Sequence, residues 1–380
     1  MNRVNVMQPW LGEEEIAAVT EVIASGWVAQ GPRVFEFEHA FATSQGAEHA
    51  VATSSCTAAL HLAMLLAGVG PDDEVVVPSF SFIATASAVV NVGATPVFAD
   101  VEAETGNLVP ATVAPALTPK TRAVIAVDQG GVPVDLGALR ELCDPLGVVV
   151  VEDAACGAGS TYRGEPVGAG AEVTAWSFHP RKLLTTGEGG MITTSNAEWA
   201  ARARRLREHG MSVSAAARHV SVLAPAEEYL EVGFNYRMTD LQAAIGLVQL
   251  DRLPEVVRRR REIAAVYAKV IDDIPGLRLV ADPSYGTGNF QSCWLEVDQD
   301  HALDRDGLLA RLADADISAR RGIMSIHRQP AYRDGPGIRV PLPVTERLTD
   351  NTLILPVYHR LSNSEQQRVI DVLTRPWDRP

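Results

Sequence analysis

Hydrophobic and polar positions along this chain follow two rhythms in turn. Over 13–25, acidic and apolar residues recur at helical spacing and stop at Gly26, and 33–44 repeats the pattern after an irregular loop over 27–32. From Ala50 onward, short β-branched runs alternate with amphipathic stretches. Strands are predicted over 51–53, 74–77, 95–98, 122–127 and 148–152, and helices over 57–67, 82–91 and 135–146. This alternation predicts an α/β fold whose mainly parallel sheet is covered by helices, with ligands gathering at the carboxyl ends of its strands.

A helix over 197–209 closes the large unit, and the Ser/Ala-rich stretch 212–225 reads as a mobile loop. A helix over 238–250 follows, and Pro254 is expected to separate it from another over 255–271. The pattern then changes. Strand-like 291–297, a helix over 306–315, strand-like segments near Ile317 and Leu353 and a helix over 364–374 predict a smaller α+β unit with a frayed tail after Arg375. The expected domains are therefore 1–254, with the N-terminal helices included, and 255–380.

Composition narrows the class. Of 380 residues, 47% are hydrophobic and 21% charged, as in soluble globular proteins. A formal net charge of −14 opposes bulk nucleic-acid binding, which needs a basic face. The arginine run 258–261 would fan around a helix, so it reads as a solvated or subunit-facing surface. The four cysteines, Cys56, Cys143, Cys156 and Cys293, form no C-x-x-C pair, which favours neither a metal cage nor a disulfide framework and fits a reducing cytoplasm. The first ten residues lack the apolar core of a secretion signal, and the longest apolar run, 83–94, is too short and too interrupted to span a bilayer. A soluble cytoplasmic protein without membrane or nucleic-acid partners is expected.

Candidate chemistry centres on 174–194, T-A-W-S-F-H-P-R-K-L-L-T-T-G-E-G-G-M-I-T-T, where two β segments flank a loop with a single lysine, Lys182. Lysine held on such a turn can form a Schiff base where burial and nearby cations lower its pKa; an exposed loop lysine is the plainer reading. Three other stretches bear on it. T-S-S-C-T-A-A-L, 53–60, joins a strand to a helix start, which suits either a phosphate or simple capping. V-V-V-V-E-D-A-A-C-G, 148–157, ends a buried strand in an acid pair, able to hold a protonated heteroaromatic nitrogen, a metal or a helix cap. G-F-N-Y-R-M-T-D, 233–240, sets an amide and a guanidinium before a helix, where Thr239 or Asp240 would serve as caps.

Taken together, S-S-C-T-A-A-L-H-L-A, D-E-V-V-V-P-S-F-S-F, V-E-D-A-A, S-F-H-P-R-K-L-L-T-T-G-E-G-G-M and G-F-N-Y-R-M-T-D-L-Q-A-A-I-G resemble the DegT/DnrJ/EryC1/StrS family. Q-G-P-R near the start, H-R-Q-P-A-Y and L-P-V-Y extend the likeness over nearly the whole chain. The resemblance implies the fold type I architecture of aspartate aminotransferase and a pyridoxal-5′-phosphate-dependent sugar aminotransferase. By the same resemblance Lys182 carries the cofactor as a Schiff base and shuttles the proton, and Asp153 pairs with the pyridinium nitrogen. Phe82 stacks on the ring, while Thr57, Ala58 and Ser177 bind the phosphate. Asn235 reaches the phosphate of a neighbouring subunit, which implies a homodimer with shared sites. Glu188, Arg237 and His327 match positions lining the substrate pocket. Two departures stand out. Cys156 replaces the usual Gln or His that contacts the cofactor's ring oxygen, and Asp128 in V-D-Q-G-G-V-P stands where histidine is frequent.

The implied partners are small molecules: L-glutamate or L-glutamine as donor, and the keto group of a nucleotide-linked deoxysugar as acceptor. A cyclitol ketone is the nearer rival. A sugar dehydratase of the same family would carry histidine in place of Lys182. A regulator that binds the cofactor without catalysis would need a DNA-binding module, for which this acidic chain leaves no N-terminal room.

Overall fold

The computed structural model describes residues 3–214 and 226–375. Helices α1 (Glu13–Ser25) and α2 (Pro32–Ser44) precede the first strand. The start of α2 is captured from far along the chain: the carboxylate of Asp240 accepts the backbone N–H groups of Gly31 (2.7 Å), Arg33 (3.0 Å) and Val34 (3.0 Å). Orphan donors at a helix N-terminus are thereby satisfied by negative charge, where the helix dipole favours it. Of the two caps predicted for the helix after 238, only Thr239 serves that helix, accepting from the N–H of Gln242 at 3.2 Å.

The expected α/β alternation follows. Strands β1 (His49–Thr53), β2 (Glu74–Pro78), β3 (Thr95–Ala99), β4 (Thr121–Val127) and β5 (Val149–Asp153) are interleaved with α3 (Cys56–Leu66), α4 (Ala84–Asn91), the short α5 (Pro110–Val113) and α6 (Leu136–Cys143). A small hairpin of β6 (Thr161–Tyr162) and β7 (Glu165–Pro166) leads to β8 (Val173–Ser177), β9 (Gly190–Thr194) and α7 (Ala197–Leu206). The large sheet has the order β1-β9-β8-β5-β4-β2-β3, and only β9 runs antiparallel to its neighbours. Its strands are apolar on both faces because both are covered. Along β4, Ala123, Ile125 and Val127 enter one core cluster with α3, while Val124 and Ala126 enter another with α6, the period-two signature of a strand between two layers.

Pro254 does not divide the chain. Helix α8 (Asp240–Ile271) runs unbroken for 32 residues through it. Proline removes one internal hydrogen bond, but Leu253 and Val256 on either side are buried against Leu183, which pins the helix across the lesion. The 254/255 boundary thus falls within a continuous helix, and we propose that the two units share it. The arginine run is also reassigned. Arg258 pairs with Glu262 and Arg261 with Asp282 at the surface, but Arg260 is buried, its guanidinium donating to the carbonyls of Phe290 and Gln291 at 2.9 Å each.

The remaining strands are β10 (Leu277–Leu279), β11 (Gly286–Thr287), β12 (Cys293–Val297), β13 (Arg320–Arg321) and β14 (Thr352–Leu355), with helices α9 (Arg305–Asp314), α10 (Pro343–Asn351) and α11 (Asn363–Thr374). An antiparallel sheet of order β10-β12-β14-β13 supports the smaller unit, and β11 joins the β6–β7 hairpin of the large one. The N-terminal segment belongs here too: Val4 is fully buried in this core and bridges to Ile317. The sequence predicts neither β10, β11 nor α10. Most of the stretch 212–225 and the tail beyond Arg375 lie outside the described residues. Among the described residues no helix is long and apolar enough to cross a membrane.

One buried ion pair ties the layers together. The Arg207 guanidinium meets Glu38 and the carbonyl of Ala52, and Glu38 also accepts the N–H of Ala52 at 2.8 Å, so α2, β1 and the end of α7 share one junction. Removing one partner strands the other charge in the core. Glu38→Ala is expected to lower unfolding stability by about 3–5 kcal/mol, read as a drop in the urea midpoint; a midpoint within error of wild type would contradict this role.

Candidate active site

Strands β4, β5 and β8 are adjacent and parallel, so their carboxyl ends open side by side. The loops that leave them carry Asp128, Asp153 to Gly157, and the lysine loop. After β8 the chain turns at once: the N–H of Lys182 donates to the carbonyl of His179 (2.8 Å), Phe178 pairs with Gly189 (2.9 Å), and the Thr185 hydroxyl returns to the Phe178 carbonyl (2.9 Å). This tight return brings the half-buried Lys182 to Cys156, Nζ to Sγ 3.2 Å, although 26 residues separate them.

Asp153 is buried, close enough to Lys182 for each to shift the other's pKa. Its Oδ2 accepts the Thr85 hydroxyl (3.0 Å) and its Oδ1 the N–H of Ala155 (3.2 Å). Burial raises its pKa, while these donors and Lys182 pull it back. Ser81 and Thr85 bond each other at 2.9 Å, extending the network to the P-S-F-S-F loop. Two further carboxyls lie in the same region. Asp128 is buried, with Oδ1 accepting the N–H of Val134 (2.9 Å) and Oδ2 without a partner; burial and then the neighbouring Glu152 push its pKa far up. Glu152, also buried, is pushed to about 7 by burial, against a hydrogen bond from Thr174. Cys56, on the first turn of α3, is a neutral thiol held up by burial and by Asp153.

For Lys182 the outcome differs from expectation. Burial does pull its ammonium down, but the contact with Cys156 and the carboxyl of Asp153 outweigh it and the net direction is upward. Its neighbours are acids rather than cations, which favours the ammonium form.

The other predicted residues surround this point. Ser55 caps α3 through the N–H of Ala58 (3.1 Å), and among the described residues the N–H groups of Cys56 and Thr57 have no acceptor, with Thr57 exposed. Ser177 ends β8 opposite Gly190, and an added Cβ at Gly190 would come within 2.6 Å of Ser55 and Cys56 backbone, so only glycine lets the helix start approach the strand pair this closely. Phe82 is 58% exposed, an aromatic face left open beside the site. Asn235 is exposed in a loop fixed by Ser54 N–H to the Tyr236 carbonyl (2.8 Å). Arg237 is half-buried and has no ion pair among the described residues. Glu188 is exposed, 3.8 Å from His179. His327 is placed differently from a pocket-lining side chain. It is buried with both ring nitrogens engaged, Nδ1 with the Ser79 hydroxyl (2.7 Å) and Nε2 with Glu346 (3.2 Å).

Residues 9–374 match the DegT/DnrJ/EryC1/StrS aminotransferase family. The chain belongs to that family. It is 39% identical over 368 residues to the spore coat polysaccharide biosynthesis protein SpsC of Bacillus subtilis (strain 168), covering 96% of this chain and 95% of the other. The aminotransferase TlmJ from Streptoalloteichus hindustanus has 42% identity, 97% coverage of each chain and a TM-score of 0.89. DesI, solved in the presence of its TDP-sugar product, has 33% identity, covers 98% of this chain and 92% of its own, and has a TM-score of 0.87. The chain is therefore a sugar aminotransferase of fold type I, and its cofactor is pyridoxal phosphate; Spr1654 from Streptococcus pneumoniae, 28% identical with a TM-score of 0.90, has been solved in a PLP-form.

The residues present fit that group. A family aminotransferase needs an amine, a carboxylate beneath it, an open aromatic face and free N–H donors for a phosphate; Lys182, Asp153, Phe82 and the start of α3 offer these in one place. Sequence reasoning missed Thr85, Ser81 and Glu152. The hydroxyl pattern of S-F-S-F-I-A-T was available as a signal; Glu152 was visible only as half of an acid pair.

The buried carboxyls make a pH prediction. Glu152 rises from an ordinary 4.5 to about 7, so the folded protein keeps its proton where the unfolded chain has lost it. The stability this supplies is complete below about 4.5 and is lost as pH rises through 7. Glu152→Gln cannot ionise, so its stability relative to wild type should climb across that window. Parallel stability–pH curves for the two proteins would contradict the assignment.

Proposed function

We propose that this sugar aminotransferase moves an amino group from L-glutamate to the keto carbon of a nucleotide-linked deoxysugar. The observation that carries the reading is the convergence of Lys182, Cys156 and Asp153 at the carboxyl ends of adjacent parallel strands, beside a helix start with free N–H groups. Pyridoxal phosphate, when bound there, supplies the electron sink that makes a proton on an amine-bearing carbon acidic.

The chain's own groups do the rest in this account. Lys182 would hold the cofactor through Nζ, and its free amine would accept and return the proton at that atom. Asp153, ionised, holds the heteroaromatic N–H, and Thr85 and the Ala155 N–H keep the carboxylate oriented for it. Thr57 and Ser177 would bind the phosphate, together with Ala58, whose N–H the Ser55 hydroxyl holds here; Phe82 would cover one face of the ring, and Cys156 stands at the edge where relatives use Gln or His. Arg237, with no ion pair among the described residues, offers its guanidinium to acceptor or donor anions, and Glu188 lies at the rim. The role of His327 is recast: engaged at both nitrogens, it fixes the P-S-F-S-F loop to the smaller unit instead of touching substrate. The exposed Asn235 suits a homodimer in which each subunit completes the other's phosphate site.

A nucleotide-linked acceptor is favoured over a cyclitol by the likeness to DesI and its TDP-sugar product. Lys182 itself argues against dehydration. The test is spectroscopic and catalytic. Loaded wild-type protein should lose its long-wavelength absorption band on addition of L-glutamate, and the product form should then aminate nucleotide ketosugars in preference to inososes. Lys182→Ala should lose at least about 10³-fold in turnover. Wild-type turnover by that variant would overturn the assignment.

A further inference from the structure

Four residues of the smaller unit, Asn289 to Ser292, cross the carboxyl ends of β4, β5 and β8 and bond to the loop after each. Toward the β4 loop, Ser292 donates its N–H to the Gly130 carbonyl at 2.9 Å. Toward the β5 loop, Asn289 Nδ2 donates to the carbonyls of Cys156 (2.7 Å) and Ala158 (2.8 Å). Toward the lysine loop, Gln291 bonds twice. Its Nε2 donates to the Arg181 carbonyl (2.6 Å) and its Oε1 accepts the Leu183 N–H (3.1 Å). The residues on either side of Lys182 are thus gripped by one side chain from 110 positions away.

The strap is itself over-determined. Phe290, between the two amides, has φ +53°, a left-handed conformation that costs a bulky side chain energy and persists only where surroundings enforce it. The enforcement is visible. The buried Arg260 donates to the carbonyls of Phe290 and Gln291, and Asn289 Oδ1 accepts the Gln291 N–H at 2.6 Å. An added Cβ at Gly131, where φ is +93°, would fall 1.9 Å from Asn289 Oδ1, so the β4 loop leaves room for this amide.

We infer that Gln291 is a positioning residue for Lys182: by holding Arg181 and Leu183 at once, it fixes the direction of Nζ against Cys156 and Asp153, with the strained Asn289–Phe290 backbone and Arg260 holding Gln291 in turn. The inference rests on Lys182 being the cofactor-bearing lysine. It gives the smaller unit a role in aligning the reactive amine. A displacement of about 1 Å in such a group costs on the order of 10²-fold in rate, and the two bonds of Gln291 restrain the peptide groups on either side of Lys182.

The test uses Gln291→Met, which keeps the bulk and removes both bonds, and Gln291→Glu, which keeps an acceptor for the Leu183 N–H. In cofactor-free protein, amide exchange of peptides covering 181–184 should quicken by about tenfold in Gln291→Met, with the exchange of β2 and β4 unchanged. In loaded protein, the pH titration of the visible chromophore should shift, and kcat should fall about 10–100-fold while KM for the donor stays within about threefold. Gln291→Glu should recover part of the Leu183 protection and part of the rate. Variants that fold as wild type, with unchanged exchange, chromophore titration and kcat, would overturn the inference, as would a uniform rise in exchange throughout the chain. Lys182→Ala serves as the separate control. Retention of a lysine-bound chromophore in that variant refutes the lysine assignment itself, whereas its loss together with a silent Gln291→Met refutes only the positioning role.

Discussion

Three buried carboxyl groups, Asp128, Glu152 and Asp153, are crowded at the ends of two neighbouring parallel strands, and the balance of charge there constrains everything around it. Carboxylates without water or cations cannot all ionise. Burial pushes two of them up, Asp128 far above its ordinary range and Glu152 to about 7. The third, Asp153, is also pushed up by burial, but two hydrogen-bond donors and the ammonium of Lys182 pull it back. Of the three, Asp153 is the one with a cationic group close by, which suits a carboxylate that is to hold a ring nitrogen.

The fold exists to deliver groups to that point. Parallel strands end together, so loops distant in sequence emerge side by side; β9 turns back beside β8 so that the lysine loop folds over the same edge. Helix α8 spans both units through Pro254, with Leu253 and Val256 packed on the lysine loop's Leu183. Arg260 on the same helix secures the strap that bonds to that loop from the other side. The lysine loop is therefore bounded by the sheet below, by α8 behind and by Gln291 in front.

Much of this was legible in the chain. The β-branched runs marked the buried parallel strands, the Ser/Thr cluster before α3 marked a helix start with free donors, and the glycine-flanked lysine marked the central loop. What was hidden shares one property: its partners are far apart in sequence and carry no local pattern. Asp240 reads as a cap for its own helix, yet its carboxylate serves α2 more than 200 residues earlier. Arg260 reads as one of four surface arginines, and its burial is decided by carbonyls 30 and 31 residues away. Pro254 reads as a break because local chemistry says so; tertiary packing on both sides overrides it. The expected downward shift of Lys182 failed for a related reason, since the acids that raise it come from β5 and the loop after it.

The central claim is that Lys182 is the cofactor-bearing amine, and the chain makes it easy to test because Lys120, Lys182 and Lys269 are its only lysines. Both others are exposed. Reduction of the PLP-loaded protein with borohydride, followed by peptide mapping, should place one phosphopyridoxyl group on the peptide containing Lys182 and leave Lys120 and Lys269 unmodified at stoichiometric cofactor. Label found on Lys120 or Lys269, with the Lys182 peptide unmodified, would contradict the account.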